Sequence, residues 1–282
     1  MNGLVDIRTA SLCTGVVGVI FCLYLGYVYR TRKTYPGFQQ WTLSSLSLFS
    51  SMILIYLREV LPDWAAIAGS NLLAVVSLVL IARGIAAFTA RPIGLAAHVI
   101  AGATAVLVSV IFTYVWPDVR GRIVPISLIS CLILGQCISL ARAAAVRQRL
   151  PVGWLVLSLG LLVGCFVLRM LLTLLYEPAS RDFMSASSIQ GLMLVLYSAC
   201  NIGIFLGLLV LNSHRTEAEL QQALEEVRTL QGIIPICSTC KKIRDDRGAW
   251  NQLESYISRH SQARFSHGYC PDCVKKVMAT LP

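Results

Sequence analysis

Charge is what this sequence has least of. Only 13% of its 282 residues are Asp, Glu, Lys or Arg, against about a quarter in soluble domains. The acidic share is thinner still, 14 residues against 24 basic ones. With 56% hydrophobic residues, this is not the composition of an ordinary soluble domain. No acidic residue falls in the middle of an apolar run, which argues against a proton-coupled carrier. Apolar runs broken by glycine and proline, the mark of many transport sites, are not evident. There is no convincing internal repeat and no low-complexity segment.

What is present is a series of long apolar runs, near 11–29, 38–57, 65–87, 93–115, 121–141, 152–175 and 186–211. Crossing a hydrocarbon core about 30 Å thick takes about 20 apolar residues. The first run is followed, not preceded, by the charges of "RTRK", which reads as a retained span and not a cleaved signal. Segments between runs alternate in charge. One set carries Arg30, Arg32 and Lys33, then Arg83 and Arg91, then Arg142, Arg147 and Arg149. The other set holds five arginines offset by Asp6, Glu59, Asp63, Asp118, Glu177 and Asp182. Positive charge gathers on the cytoplasmic side, so the expectation is an N-terminus outside and a C-terminus inside. Trp64, Trp116, Tyr176, Tyr24 and Tyr27 lie toward run ends, as interfacial aromatics do. The expected fold is an all-α membrane protein, a seven-transmembrane helix bundle over 1–211 in contact with the lipid bilayer.

The net charge of +10 belongs mainly to that region. Residues 1–211 hold 14 Lys/Arg against 6 Asp/Glu, while 212–282 hold 10 against 8. A nearly balanced tail excludes the dense basic face of a nucleic-acid binder. Within the runs, Arg169 reads as snorkelling or pairing with Glu177, and His98 as an interfacial or core histidine. Asn71 and Asn201 read as bonding across helices, and Arg58 and Glu59 as a solvated pair at a membrane edge. Six cysteines scattered singly through the runs (Cys13, Cys22, Cys131, Cys137, Cys165 and Cys200) read as small packing hydrophobes.

Residues 212–234, "NSHRTEAELQQALEEVRTLQGII", form a second region. Leu220, Leu224, Val227 and Ile234, with Gln231 in the intervening slot, follow an a/d seam of about two heptads. One reading is a coiled-coil helix that makes a homodimer over 216–234; the other is an amphipathic helix lying on headgroups. Pro235 ends it.

The third region, 235–282, holds the remaining cysteines in two C-x-x-C pairs. Cys237 and Cys240 are separated from Cys270 and Cys273 by the 29 residues Lys241–Tyr269. Two such knuckles can supply the thiolate tetrahedron that structural Zn2+ prefers. A cytoplasmic location disfavours disulfides, and a domain this small needs a staple. His267, three residues before Cys270, is either a substitute ligand or an outer-shell donor. The rival chemistry is thiol redox, with Lys241, Lys242 and Arg244 favouring thiolates. Between the pairs, "DDRGAW" reads as a turn and "WNQLESYISRH" as a helix whose Trp250, Leu253, Tyr256 and Ile257 share an apolar face, with Trp250 and Tyr256 expected in the core. "CPDCVKKVMATLP" reads as a last short helix, so the expected module is a zinc-knuckle-type α domain.

The stretch "GIIPICSTCKKIRDDRGAWNQLESYISRHSQARFSHGYCPDC" resembles a small module that ends many bacterial signal-transduction proteins, after coiled-coil helices, PAS domains or receiver domains. The seven runs are similar in layout to the membrane sensor regions of bacterial histidine kinases and cyclic-di-GMP enzymes. The departure from those families is the missing phosphoacceptor helix, ATP-binding glycine-rich box, GGDEF and EAL sequences. The resemblance implies a signalling output or partner-docking element, and with no recognisable enzyme motif the expected protein of the bacterial inner membrane speaks through a cytoplasmic signalling partner that docks on its module. Two other readings stay open: a membrane-anchored thiol oxidoreductase or redox sensor, and a transporter with a regulatory tail.

Overall fold

The computed structural model describes residues 7–176, 188–231, 235–245, 248–260 and 264–280. The chain divides into two compact units, 1–218 and 219–282. The described elements of the first are all helices. Helix α1 runs Ile7–Thr31 and α2 Phe38–Tyr56. A π-helical turn, Trp64–Gly69, leads directly into α3, Ser70–Phe88. Helix α4, Ala96–Val110, ends in a second π-helical turn, Ile111–Val115. Then come α5, Val119–Gln148, α6, Gly153–Tyr176, and α7, Ser188–Gln231, which is 44 residues long.

Six of these helices are long and apolar enough to cross a membrane: 9–31, 64–88, 96–115, 119–148, 153–175 and 191–225. The chain is a multi-pass membrane protein by that measure. Val16, Ile20, Leu157, Leu161 and Leu168 are exposed on α1 and α6, as lipid-facing side chains must be. The expected second span, α2, is a helix but is not among the six, because Gln39, Gln40 and a run of serines dilute its apolar residues.

Those serines are where α2 meets α3. Ser44 donates to Ser77 O at 2.9 Å, Ser47 to Leu73 O at 2.8 Å and Ser51 to Ser70 O at 2.8 Å. The spacing puts all three on one helix face, and hydroxyls bonding across helices need no water. Small residues also bring the backbones close at the other end of the pair. A Cβ on Gly84 would overlap the Trp41 indole, and one on Gly37 would overlap Gly84 O. Trp41, Phe38, Ile81, Ile85 and Phe88 fill the adjoining core, each 2% exposed or less.

Helix α7 packs on α1 and α6. Ser198 Oγ lies 2.6 Å from Thr14 Oγ1, Trp154 Nε1 donates to Gly203 O at 3.1 Å, and the Phe166 and Tyr197 rings stack at 4.8 Å. The expected boundary between a last span and a separate connecting helix is not a break in the chain's helix, since 188–231 is continuous. Its second half has no Gly or Pro after Gly207 to interrupt it. Val227 and Gln231 are in this helix with side chains outside the described set, and Ile234 lies outside the described residues.

In the second unit, β1, Ile243–Arg244, pairs antiparallel with β2, Trp250–Asn251, followed by α8, Leu253–His260, and α9, Pro271–Ala279. The short β-pair departs from a purely helical module. Trp250 belongs to the strand and not to the helix, and it is 49% exposed, so it is not core as expected. Tyr256 is half-buried, and Ile243 is the one buried side chain among the described residues of this unit.

Candidate functional site

Two places gather chemistry-bearing side chains, one in each unit. In the tail, the first cysteine pair sits in a turn closed by its own backbone. Cys237 N–H donates to Lys242 O at 2.8 Å and Lys241 N–H to Cys237 O at 3.0 Å, with Lys241 at φ +59. The strand pair continues this hairpin, as Arg244 N–H donates to Pro235 O at 3.0 Å and Ile236 bridges to Ile243. The expected turn at "DDRGAW" is built on Asp245. Its Oδ1 accepts from Ala249 N–H at 2.8 Å and its Oδ2 from Asn251 Nδ2 at 2.8 Å, with Gly248 at φ +80, a conformation glycine adopts freely.

The turn aims amide groups at sulfur. The backbone N–H of Cys240, then that of Thr239, then the Cys240 thiol hold the Cys237 pKa below the usual thiol value, with a smaller contribution from the Lys242 charge. The second pair reaches the same state by a different route. Cys270 is extended at the N-terminus of α9, Pro271 opens the helix, and Val274 N–H donates to Cys270 O at 2.9 Å. First-turn N–H groups have no partner within the helix, and that of Cys273 leads the interactions lowering the Cys270 pKa, followed by the Cys273 thiol.

Each pair is therefore a two-sulfur half-site with one sulfur predisposed to be a thiolate, which suits the donor chemistry of zinc. The halves are separate. Among the described residues no three His, Cys, Asp or Glu side chains lie together as metal ligands would. Cys237 meets Cys240, Cys270 meets Cys273, and His267 joins neither pair as a third donor. Cys237 is half-buried, and Cys240, Cys270 and Cys273 are exposed.

The helical unit holds the other place, a cavity of about 170 Å³ lined from α1, α2, α3, α5, α6 and α7. Three arginines reach it from three parts of the chain: Arg58 just after α2, Arg122 in the first turn of α5, and Arg169 in α6. Arg58 Nε lies 4.0 Å from Asp63 Oδ1. It pairs with Asp63 and lines the cavity, and with its side chain 13% exposed it is not the solvated group expected at a membrane edge. Arg122 is 6% exposed and donates to Thr113 Oγ1 at 3.3 Å. The guanidinium of Arg169 lies 5.8 Å from the Tyr197 ring centroid; its expected partner Glu177 lies outside the described residues.

The remaining polar lining is neutral. Asn71 donates across helices to Ser109 Oγ at 3.0 Å, as expected, whereas Asn201 donates within α7 to Tyr197 O at 2.8 Å. Tyr197 Oη is buried. No Asp or Glu is among the described lining residues. His98 is a core histidine, 6% exposed, with Nε2 at 3.0 Å from Gln136 Oε1.

No protein-family model matches the chain, and neither does any curated protein or solved structure. The geometry alone therefore carries the functional reading. The convergence of arginines was missed in the sequence, where Arg58 and Arg169 were read singly and Arg122 was not singled out. The available signal was that Arg58, Arg122 and Arg169 all fall at the run ends opposite the strongly basic connections.

Proposed function

We propose that the chain is a seven-span signal-transduction protein of the bacterial inner membrane, N-terminus outside and cysteine tail in the cytoplasm. Its helical unit receives a membrane or external cue. Helix α7, dimeric over 216–234, relays it to a signalling protein docked on a zinc-held module. One observation carries this reading: the cavity-lining residues Leu194, Tyr197, Ser198 and Asn201 share a single unbroken helix with Leu220 and Leu224. Leu220 and Leu224 are exposed by 60% and 55%, as seam residues of an unpaired helix are. A ligand that favours one bundle state shifts the helix only through its differential affinity for the two states.

Zn2+ would be held by Cys237, Cys240, Cys270 and Cys273, with His267 at the edge of the site or in place of one sulfur. Bound zinc would supply the stability that a unit with one buried side chain lacks. The amides on Cys237 and Cys270 keep the first sulfur of each pair ready to ligate. Elemental analysis of the full-length protein, purified reduced in detergent, tests this. About one zinc per chain, lost with Cys237→Ser and kept with His267→Ala, is the expected result; no metal in the unsubstituted protein overturns the zinc assignment. For the relay, Leu220→Cys is expected to cross-link between copies in membranes more efficiently than Gln222→Cys. A one-residue insertion at Ala223 turns the following helix by about 100° and should move the cross-linking pattern while membrane insertion is unchanged. Equal cross-linking at the two positions would remove the dimer seam from the proposal.

A second reading draws on the closeness of the sulfurs within each pair and the lowered pKa of Cys237 and Cys270: a membrane-anchored thiol oxidoreductase or redox sensor. Disulfides that form and reduce reversibly within each pair, in a metal-free protein, would favour it over the zinc-held module.

A further inference from the structure

We propose that the cavity of the helical unit is a binding site for a small oxyanion carried on an apolar body, with Arg58, Arg122 and Arg169 as its charge partners. The argument begins with cost. A charged side chain within a membrane bundle is expensive to place, and such residues usually face an interior cavity or pathway. Here three arginines from separate parts of the chain line one cavity, and no carboxylate is among its described lining residues. Arg58 also pairs with Asp63, and an anion placed among the three guanidinium groups is attracted to each of them.

The chemistry of the lining narrows the ligand. A guanidinium has five N–H donors, enough to hold a protein neighbour such as Thr113 and an oxyanion together, and its fork matches carboxylate and phosphate. Tyr197 Oη, buried on the same wall as Arg169, is a further donor for the same group. Away from the arginines the wall is apolar, with Met52, Ile55, Ile123, Leu162 and Leu194. A space of about 170 Å³ compares with the engineered cavity of about 150 Å³ that admits benzene. The ligand is then an oxyanion with a body near the size of one ring or a short chain. That chemistry has two sources, a free amphiphilic acid or the headgroup of an anionic lipid. The site goes beyond the relay reading, since binding would stand even if α7 carried no signal.

The test uses the full-length protein in phosphatidylcholine nanodiscs, titrated with benzoate and in parallel with benzyl alcohol, which keeps the ring and removes the charge. Benzoate is expected to raise the unfolding temperature saturably and benzyl alcohol is not. Arg122→Gln and Arg169→Gln should each weaken benzoate by about tenfold or more, while Arg147→Gln in the last turn of α5 leaves it unchanged. Ala74→Leu narrows the cavity, keeps every arginine, and should also weaken benzoate, which separates loss of the site from loss of the fold. Nanodiscs with phosphatidylglycerol distinguish the sources. Arginine-dependent stabilisation by that lipid, to which benzoate adds nothing, assigns the site to headgroups; an undiminished benzoate response assigns it to a free acid. Equal responses to benzoate and benzyl alcohol would overturn the proposal. So would a benzoate affinity that survives both arginine substitutions, or no response to benzoate or anionic lipid.

Discussion

The guanidinium of Arg215 lies 4.9 Å from the ring centroid of Tyr35. The same group lies 5.2 Å from the Phe88 ring and donates from Nη1 to Phe88 O at 3.1 Å. One turn earlier, Asn212 accepts from Tyr35 N–H at 3.3 Å and donates to Lys33 O at 3.3 Å. These contacts tie the middle of α7 to the α1–α2 connection and to the end of α3. A cation over two aromatic faces with a charge-assisted bond is worth about 1–3 kcal/mol when partly desolvated. Arg215→Ala is expected to lower stability by that order. Arg215→Lys should recover only part, because an ammonium cannot stack and fork as a guanidinium does. Reversible unfolding in mixed micelles reads both.

The α2–α3 crossing gives a steric prediction. A Cβ on Gly84 would overlap the Trp41 indole, and Trp41 is 1% exposed with no space to yield. Gly84→Ala should cost about 1–3 kcal/mol through overpacking. The paired change Gly84→Ala with Trp41→Phe should cost less than the sum of the two single changes. Additive losses would show that the two residues do not meet.

The serine seam gives a polar one. Ser47 and Ser51 each bond a carbonyl of α3, and bonds between helices in membranes are worth about 0.6 kcal/mol on average. Ser47→Ala and Ser51→Ala are expected to lose about 0.5–1 kcal/mol each. Exchange of the α3 amides should rise locally, measured by hydrogen–deuterium exchange in micelles.

In the tail, the sign of the thiol shifts decides a pH prediction. Amides directed at Cys237 and Cys270 favour the thiolate, so these two sulfurs ionise below the ordinary thiol pKa. The stabilising effect of those interactions is present above the unfolded-state pKa and is lost as pH falls through the lowered one. In metal-free, reduced protein, alkylation at Cys237 and Cys270 should therefore set in at lower pH than in the urea-unfolded chain, read by peptide mass spectrometry. Onset only at the ordinary thiol pH would show that the amide turns do not form without metal.

Much of this architecture was legible as pattern. The apolar runs became helices, because a backbone in lipid has to satisfy its hydrogen bonds internally, with ends within a few residues of expectation except that α5 runs on to Gln148 and α7 to Gln231. The turn at Gly248 and the last helix after Cys270 were legible for local reasons, a left-handed residue and a proline-opened helix start. Trp250 was misread because a run of i, i+3, i+6, i+7 apolar residues does not show where a helix begins, and the strand claims its first member. The expected boundary at residue 212 is a change from apolar to polar composition, and the hydrogen-bond ladder of α7 runs on through it.

The sequence by itself determined that several long helices cross or line a membrane, that the tail carries two paired-cysteine knuckles, and which residues open their turns. These follow from composition, period and spacing, which are local. Only the tertiary structure decided that the serines of α2 bond the carbonyls of α3, and that Arg215 grips Tyr35 across 180 positions of chain. It alone also brought Arg58, Arg122 and Arg169 to one cavity. Those relations depend on which helix faces lie together, and helix packing is set by the shapes of whole surfaces, which a linear pattern of residues does not contain.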